Sequence, residues 1–221
     1  MRQAVKGRIS ARKLTILLLL AAKDAKGIDR APIIGTTRMQ KLAFLAMQSC
    51  KDFLRGDDVF RFDFVFAPDR FGPADLELYQ DLELLKATGW IEVDGKTRMA
   101  IEEPATVLDE EAGKGLPVLP EEQDEEEISF DYLMGEHSEE IDLAEAERRY
   151  ERQYRITDEG MGRLEVIRVE SRREETFNRL AKVCAAVKLE YGNWPLNLLL
   201  RHVYSEYPEM TTKSEIRDRV C

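Results

Sequence analysis

From residue 12 to residue 25 apolar side chains dominate, with Leu14, Ile16, Leu17, Leu18, Leu19 and Leu20 in close succession. This predicts a first helix that is apolar round most of its circumference and therefore buried. A turn follows through Lys26-Gly27-Ile28-Asp29. Met39, Leu42, Ala43, Leu45 and Ala46 then recur three and four apart, the helical spacing. Thr36 or Thr37 is suited to cap that second helix, and Arg38 and Lys41 fall on its opposite, wetter face. Phe60, Phe62, Phe64 and Phe66 alternate with Arg61, Asp63 and Val65, which predicts a strand with one buried face. A loop over 67–73 breaks the alternation. Pro73 is placed to open a third helix, about Ala74 to Ala87, with Leu78, Leu82 and Leu85 inward and Gly89 at its left-handed end. Trp90 to Val93, the pair Asp94-Gly95 and Thr97 to Ile101 read as a hairpin. Tyr150 to Ile156 is a further strand, Thr157-Asp158 a cap, and Glu159 to about Val187 helical with room for a break. A last apolar helix spans Leu196 to Tyr204, followed by a turn and short helix over 207–216.

Charge changes this picture only once it is located. The 221 residues hold 33 Lys and Arg against 43 Asp and Glu, a net charge of −10. By segment, residues 1–101 carry 17 basic and 13 acidic side chains, residues 102–147 carry 1 and 18, and residues 148–221 carry 15 and 12. A mildly basic body thus holds one strongly acidic insert, rich in Pro and Gly, containing Glu121, Glu122, Asp124, Glu125, Glu126 and Glu127. Its composition opposes compact packing and predicts a solvated, flexible loop. The same carboxylates are candidates for binding a basic partner or for masking the body's own basic face.

Candidate chemistry is sparse. Cys50, Cys184 and Cys221 form no close pair, an odd count that fits a reducing cytoplasm better than a disulfide scaffold. The apolar run Leu14 to Ala22 follows basic residues as a signal peptide does, yet it is too short to span a bilayer, which takes about 20 residues. A buried helix is the favoured reading, with no membrane association. His137 and His202 stand far from one another and from the cysteines, so metal-ligand spacing is missing. No phosphate-binding glycine loop and no nucleophile elbow occurs. The expectation is a non-enzyme with no cofactor, no metal and no catalytic residue.

Helix, helix, strand, helix and hairpin is the order of a winged-helix-like α+β fold, here with additional C-terminal helices. Three regions follow: a winged-helix-like core over 1–101, the acidic insert in the wing over 102–147, and a returning strand with C-terminal helices over 148–221. Four sets of residues stand out: Thr37-Arg38-Met39-Gln40-Lys41-Leu42-Ala43-Phe44-Leu45; Phe71-Gly72-Pro73 with Leu78-Tyr79-Gln80-Asp81-Leu82; Tyr154-Arg155-Ile156-Thr157-Asp158-Glu159-Gly160; and the C-terminal Leu199-Leu200-Arg201-His202-Val203-Tyr204, with Tyr207-Pro208-Glu209 and Lys213-Ser214. These segments resemble the YwgA-like proteins and the related Panacea domain of SocA-type antitoxins. The resemblance implies a small regulatory protein of antitoxin or proteolytic-adaptor type, partnered by a toxin, an effector or a component of a protease system.

Two classes of function stay open. One is a protein-interaction module. The other is a DNA-binding regulator, autoinhibited by the insert, that touches phosphates through a basic N-terminal arm and wing. Residues 1–41 hold ten Lys and Arg against two acids, and the candidate contacts are Arg2, Lys6, Arg8, Arg12, Lys13, Arg38 and Lys41. Against DNA, the third helix carries Asp75, Glu77, Asp81 and Glu83 with only Lys86, the wrong sign for a groove reader. A third reading is an inhibitor whose acidic insert mimics nucleic acid. Arg148, Arg149, Arg152 and Arg155 form a basic stretch beside the insert, suited to dock it. The apolar first and last helices also suit a two-fold homodimer.

Overall fold

Ser10 starts the first helix by a local mechanism: its hydroxyl accepts the backbone N–H of Lys13 at 3.2 Å, one of the N–H groups a helix start leaves unpaired. The computed structural model describes residues 9–55, 60–95, 152–170 and 174–217. They belong to one unit drawn from both ends of the chain, 1–97 and 143–221; the second unit, 98–142, lies outside the described residues. The class is α+β. The helices are α1 (Ala11–Ala21), α2 (Thr36–Arg55), α3 (Leu76–Ala87), α4 (Asp158–Glu170), α5 (Glu174–Tyr191) and α6 (Leu196–Glu206), followed by a 3-10 turn, Pro208–Thr211. The strands are β1 (Ile9–Ser10), β2 (Ile33–Ile34), β3 (Phe60–Arg61), β4 (Ala67–Asp69), β5 (Gly72–Ala74), β6 (Ile91–Gly95) and β7 (Arg152–Ile156).

The all-round apolar α1 is the centre of the core, packed against α2, α3, α4 and α5. It ends at Ala21, short of the predicted boundary, because Asp24 Oδ1 accepts the N–H groups of both Lys26 and Ile28, each at 2.9 Å, and so draws the chain into a turn. In α2, Phe44 stands edge-on to Phe66 at 5.3 Å and to Tyr207 at 4.9 Å, tying the aromatic run to the C-terminal turn. Cys50 of α2 and Cys184 of α5 are buried free thiols. Burial pushes Cys50 up to about 12 and Cys184 well up, which keeps both protonated and unreactive; Cys221 lies outside the described residues.

Strand pairing departs from the expected pattern in three places. The alternation of Phe60 to Phe66 is real as burial, with Phe60 and Phe64 inside and Arg61 and Val65 outside. Only Phe60–Arg61 pairs as a strand, in parallel with Ile9–Ser10. The segment 67–73 is no plain loop: β4 and β5 form a tight hairpin that matches Asp69 with Gly72, and Gly72 adopts φ +81°. Pro73 therefore sits in β5, and Asp75 caps α3 instead. Asp94-Gly95 is not a turn either. Both residues lie inside β6, whose antiparallel partner is β7, with Ile91 opposite Ile156 and Gly95 opposite Arg152. The expected return strand over 97–101 lies outside the described residues. The strands on either side of the acidic segment are thus direct neighbours, and β2 completes the sheet in the order β2-β7-β6.

The remaining local signals resolve case by case. Thr157 caps α4 as expected, accepting the N–H of Gly160 at 3.0 Å. Thr36 does not cap α2; its hydroxyl pairs with that of Tyr154 at 2.6 Å. Gly89 takes the left-handed conformation predicted for the end of α3, φ +73°. The helical stretch 159–187 comprises two helices, α4 and α5. Among the described residues no helix is long and apolar enough to cross a membrane.

Candidate functional site

A cluster of buried charge joins α1, α3 and the segment before β4. Arg12, 2% exposed, lies at its centre. Its Nε donates to Asp81, Nη1 donates to the Asp63 carbonyl and stands 3.3 Å from Asp75 Oδ2, and Nη2 is 2.8 Å from Glu77 Oε2. Asp63 in turn accepts the Arg12 backbone N–H at 3.0 Å and the Ser10 hydroxyl at 2.6 Å. Lys13 adds a second cation, 2.6 Å from Asp81 Oδ1. Asp75 is the N-cap of α3: it accepts the Glu77 N–H at 3.1 Å and the Val65 N–H at 2.9 Å. Gln40 closes the cluster by exchanging two hydrogen bonds with the Asp75 backbone, at 3.0 and 3.1 Å. Burial alone would lower the pKa of Arg12; the hydrogen bond and charge of Asp81, then Glu77 and Asp75, reverse this and raise it.

This geometry corrects the sequence reading of Arg12, placed there on a flexible arm facing phosphates. The guanidinium is interior and already holds carboxylates, so it is unable to reach a nucleic acid. It also changes the meaning of the acidic third helix. Asp75 and Asp81 are not a surface that repels DNA but the buried counter-charge of Arg12 and Lys13, and Glu77, itself exposed, pairs with Arg12 from outside. Lys13 is partly exposed and bridged to Asp81. Arg2, Lys6 and Arg8 lie outside the described residues, as do Glu121, Glu122, Asp124, Glu125, Glu126 and Glu127, and Arg148 and Arg149 of the basic stretch. Arg155 pairs with Asp94 across the β6–β7 ladder.

Arg38 and Lys41 require the same correction, since the face of α2 that looked wet from spacing is covered. The turn before α6 lies over Arg38, which is buried and donates to the carbonyls of Ile34, Gly192 and Trp194. Strand β5 lies over Lys41, 1% exposed, whose ammonium donates to the Pro73 carbonyl at 3.0 Å. A fourth internal cation, Lys188 of α5, was not anticipated. Its Nζ donates to the carbonyls of Leu20, Ala22 and Ala31 at 3.3, 2.9 and 2.7 Å, binding the last turn of α1. Nothing in the local sequence distinguishes it from a surface lysine.

Burial lowers Lys41 to about 7 and Lys188 to about 8, against 10.5 for an unfolded lysine. Below pH 7 both states carry the Lys41 proton and the full burial penalty persists. Above it the unfolded chain binds more protons, so stability rises with pH, by at most about 1.4 kcal/mol per pH unit for each lysine. Near pH 8.5 the cysteines, held protonated by the fold, begin to act in the opposite sense. Urea unfolding should therefore give increasing stability from pH 7 to 8.5, and Lys41→Met should remove most of that increase. A flat profile in the unsubstituted protein would contradict this.

The outward face of α3 is the second distinctive surface. Leu76 is 72% exposed, and Tyr79 and Leu84 are exposed beside Gln80 and Glu83. Val65, 67% exposed, adjoins the start of the helix through its hydrogen bond to Asp75. Large apolar groups grouped on one exposed face are a mark of association surfaces. The signal was present in the sequence: α3 has leucines on both sides of its wheel, Leu76 and Leu84 opposite Leu78, Leu82 and Leu85, more than one buried face requires. Among the described residues no three His, Cys, Asp or Glu side chains converge as metal ligands. No protein-family model, no curated protein and no solved structure matches the chain.

Proposed function

We propose that the protein is a non-enzymatic regulatory module of antitoxin or adaptor type that acts by binding another protein. A winged-helix-like arrangement, with β6 and β7 as the wing, is part of this reading. So is a cytoplasmic location, and so is the resemblance of its motifs to YwgA-like and Panacea-domain proteins, which supplies the class. The observation that carries it is the outward face of α3. Where a DNA reader needs cations, this helix presents Leu76, Tyr79 and Leu84 with Glu83, while Arg12, Arg38 and Lys41 are interior. Apolar area in that position is suited to a protein surface, and phosphate affinity depends on cations, of which this helix exposes only Lys86 against Glu77 and Glu83.

The test pairs two measurements on the full chain. Fluorescence anisotropy with a 30-base-pair duplex at 50 mM salt should show no binding. Purification from the native host should yield a stoichiometric protein complex, and Leu76→Asp with Tyr79→Asp should dissolve it without altering the melting temperature. Tight duplex binding that weakens steeply with salt would instead establish the DNA-binding regulator. A complex that survives the double substitution would remove α3 from the interface.

A further inference from the structure

The β4–β5 hairpin stands apart from the other strands. Its two strands of three residues pair with each other and, among the described residues, with no other strand. A ribbon this short is marginal by itself, so its position depends on what packs against it. On one side lies α2, and on the other the 3-10 turn Pro208–Thr211.

A few specific contacts hold it there. Lys41 Nζ of α2 donates to the Pro73 carbonyl of β5 at 3.0 Å. The Glu215 N–H donates to the Arg70 carbonyl in the hairpin turn at 3.0 Å, and the Arg70 side chain is 3.4 Å from Glu215 Oε1. At Gly72 an added Cβ would lie 2.6 Å from the Tyr204 ring of α6, so the hairpin backbone rests directly on that ring. The Arg70–Glu215 pair is half-exposed and adds little.

The bond from Lys41 differs in kind from the rest. An ammonium has three N–H donors, and Lys41, 1% exposed, has one acceptor among the described residues, the Pro73 carbonyl. A neutral amine is satisfied by that single bond. A buried ammonium is not, and Asp69 of β4, the carboxylate that favours its charge, is outweighed by burial, which leaves the group near its midpoint at about 7. The least disruptive relief is to admit water to Nζ, and the element that covers Nζ is the hairpin.

We propose that the β4–β5 hairpin is a proton-operated clasp, closed on α2 while Lys41 is a neutral amine and released, with the chain at Glu215, when Lys41 takes up a proton. Around it stand Asp69 of β4, Arg70 in the turn, Asp75 beyond β5, Tyr204 of α6, and Tyr207, Glu209 and Glu215 of the C-terminal segment. Carboxylates, phenols and guanidinium groups ordinarily titrate outside pH 7 to 8.5, and burial with Glu206 and Glu209 moves Tyr207 further up. Lys41 is therefore the group of this set that changes charge in that range. The clasp shares no residue with the outward face of α3 and does not depend on the protein-binding reading.

Hydrogen exchange of the full chain, read by NMR at pH 7.0 and 8.5 and corrected for the intrinsic rate, tests the clasp. Protection of the Glu215 amide and the β4–β5 ladder amides should be lower than that of α1 at both values. It should rise about tenfold from pH 7.0 to 8.5, because the open form binds more protons across that range. Lys41→Met, which has no proton to take up, should make hairpin protection independent of pH. Gly72→Ala, which wedges the hairpin against Tyr204, should lower protection at both values and keep the tenfold ratio. Hairpin protection equal to that of α1 throughout would mean that the hairpin opens only with the core, and would overturn the proposal. So would a protection unchanged between pH 7.0 and 8.5, a rise that persists in Lys41→Met, or a Gly72→Ala variant as protected as the unsubstituted chain.

Discussion

Replacing Arg12 with leucine should cost about 3–5 kcal/mol of folding stability, the range for removing one partner of a buried ion cluster. Leucine matches the apolar stem, so the loss is electrostatic. Asp75 and Asp81, both buried, would lose the guanidinium that faces them, and the Asp63 carbonyl would lose a donor. Lys13 still reaches Asp81 but not Asp75. Arg12→Lys should also be damaging, because a single ammonium is unable to span Asp81, Asp75 and Glu77 as the fork does. Further replacing Asp81 with leucine in the Arg12→Leu background should recover part of the loss, as two apolar groups leave fewer uncompensated charges. Equilibrium urea unfolding of the three variants decides the matter. A loss below about 1 kcal/mol for Arg12→Leu would mean that water or Lys13 already screens these carboxylates.

The second large effect reverses the expectation from helix propensity. Alanine exceeds glycine by about 1 kcal/mol in a helix interior, so Gly160→Ala in α4 should stabilise if only the helix mattered. A Cβ at Gly160 would lie 2.1 Å from the Trp90 carbonyl oxygen and 2.9 Å from Ile156 Cγ1. The obstruction is backbone, and it is held: the Trp90 carbonyl accepts the Thr157 N–H at 3.1 Å, and the Thr157 hydroxyl donates to the Gly89 carbonyl at 2.7 Å. Relief requires moving α4 from the junction of α3 and β6. A net loss of about 2–3 kcal/mol is expected, at the upper part of the range for overpacking, with a melting temperature lowered accordingly. Gly162→Ala two residues on, where a Cβ meets nothing within 4 Å, is the matched control and should be neutral or stabilising. If Gly160→Ala behaves like its control, the close approach is absent in solution.

These cases show where sequence reasoning succeeds and where it stops. Period-3.6 apolar spacing located α1, α2, α3 and α6 because a helix chooses its partners from within, and its buried stripe is written at fixed spacing. Caps at Ser10 and Asp75 act over three residues and depend on tertiary context all the same; pattern reading missed both, although it found Thr157. Strand partners lie far apart in sequence. Asp94-Gly95 carries a turn signature, yet β6 pairs with β7, because a ladder forms with whichever edge the packed helices bring alongside. Among candidate site residues, the outward leucines of α3 were legible from an excess of apolar positions, whereas Lys188 carried no signal.

By itself the sequence determined the α+β class, the helices and the confinement of −17 of net charge to residues 102–147, since each of these is a property of composition or short-range spacing. Only the tertiary structure decided which charges are surface and which are core. Arg12, Arg38, Lys41 and Lys188 have the same local signature as solvated cations, and what makes them internal is a carboxylate or carbonyl delivered from a distant element. Electrostatic and hydrogen-bond energies depend on where that partner sits in space, and the position of the partner is a property of the whole fold.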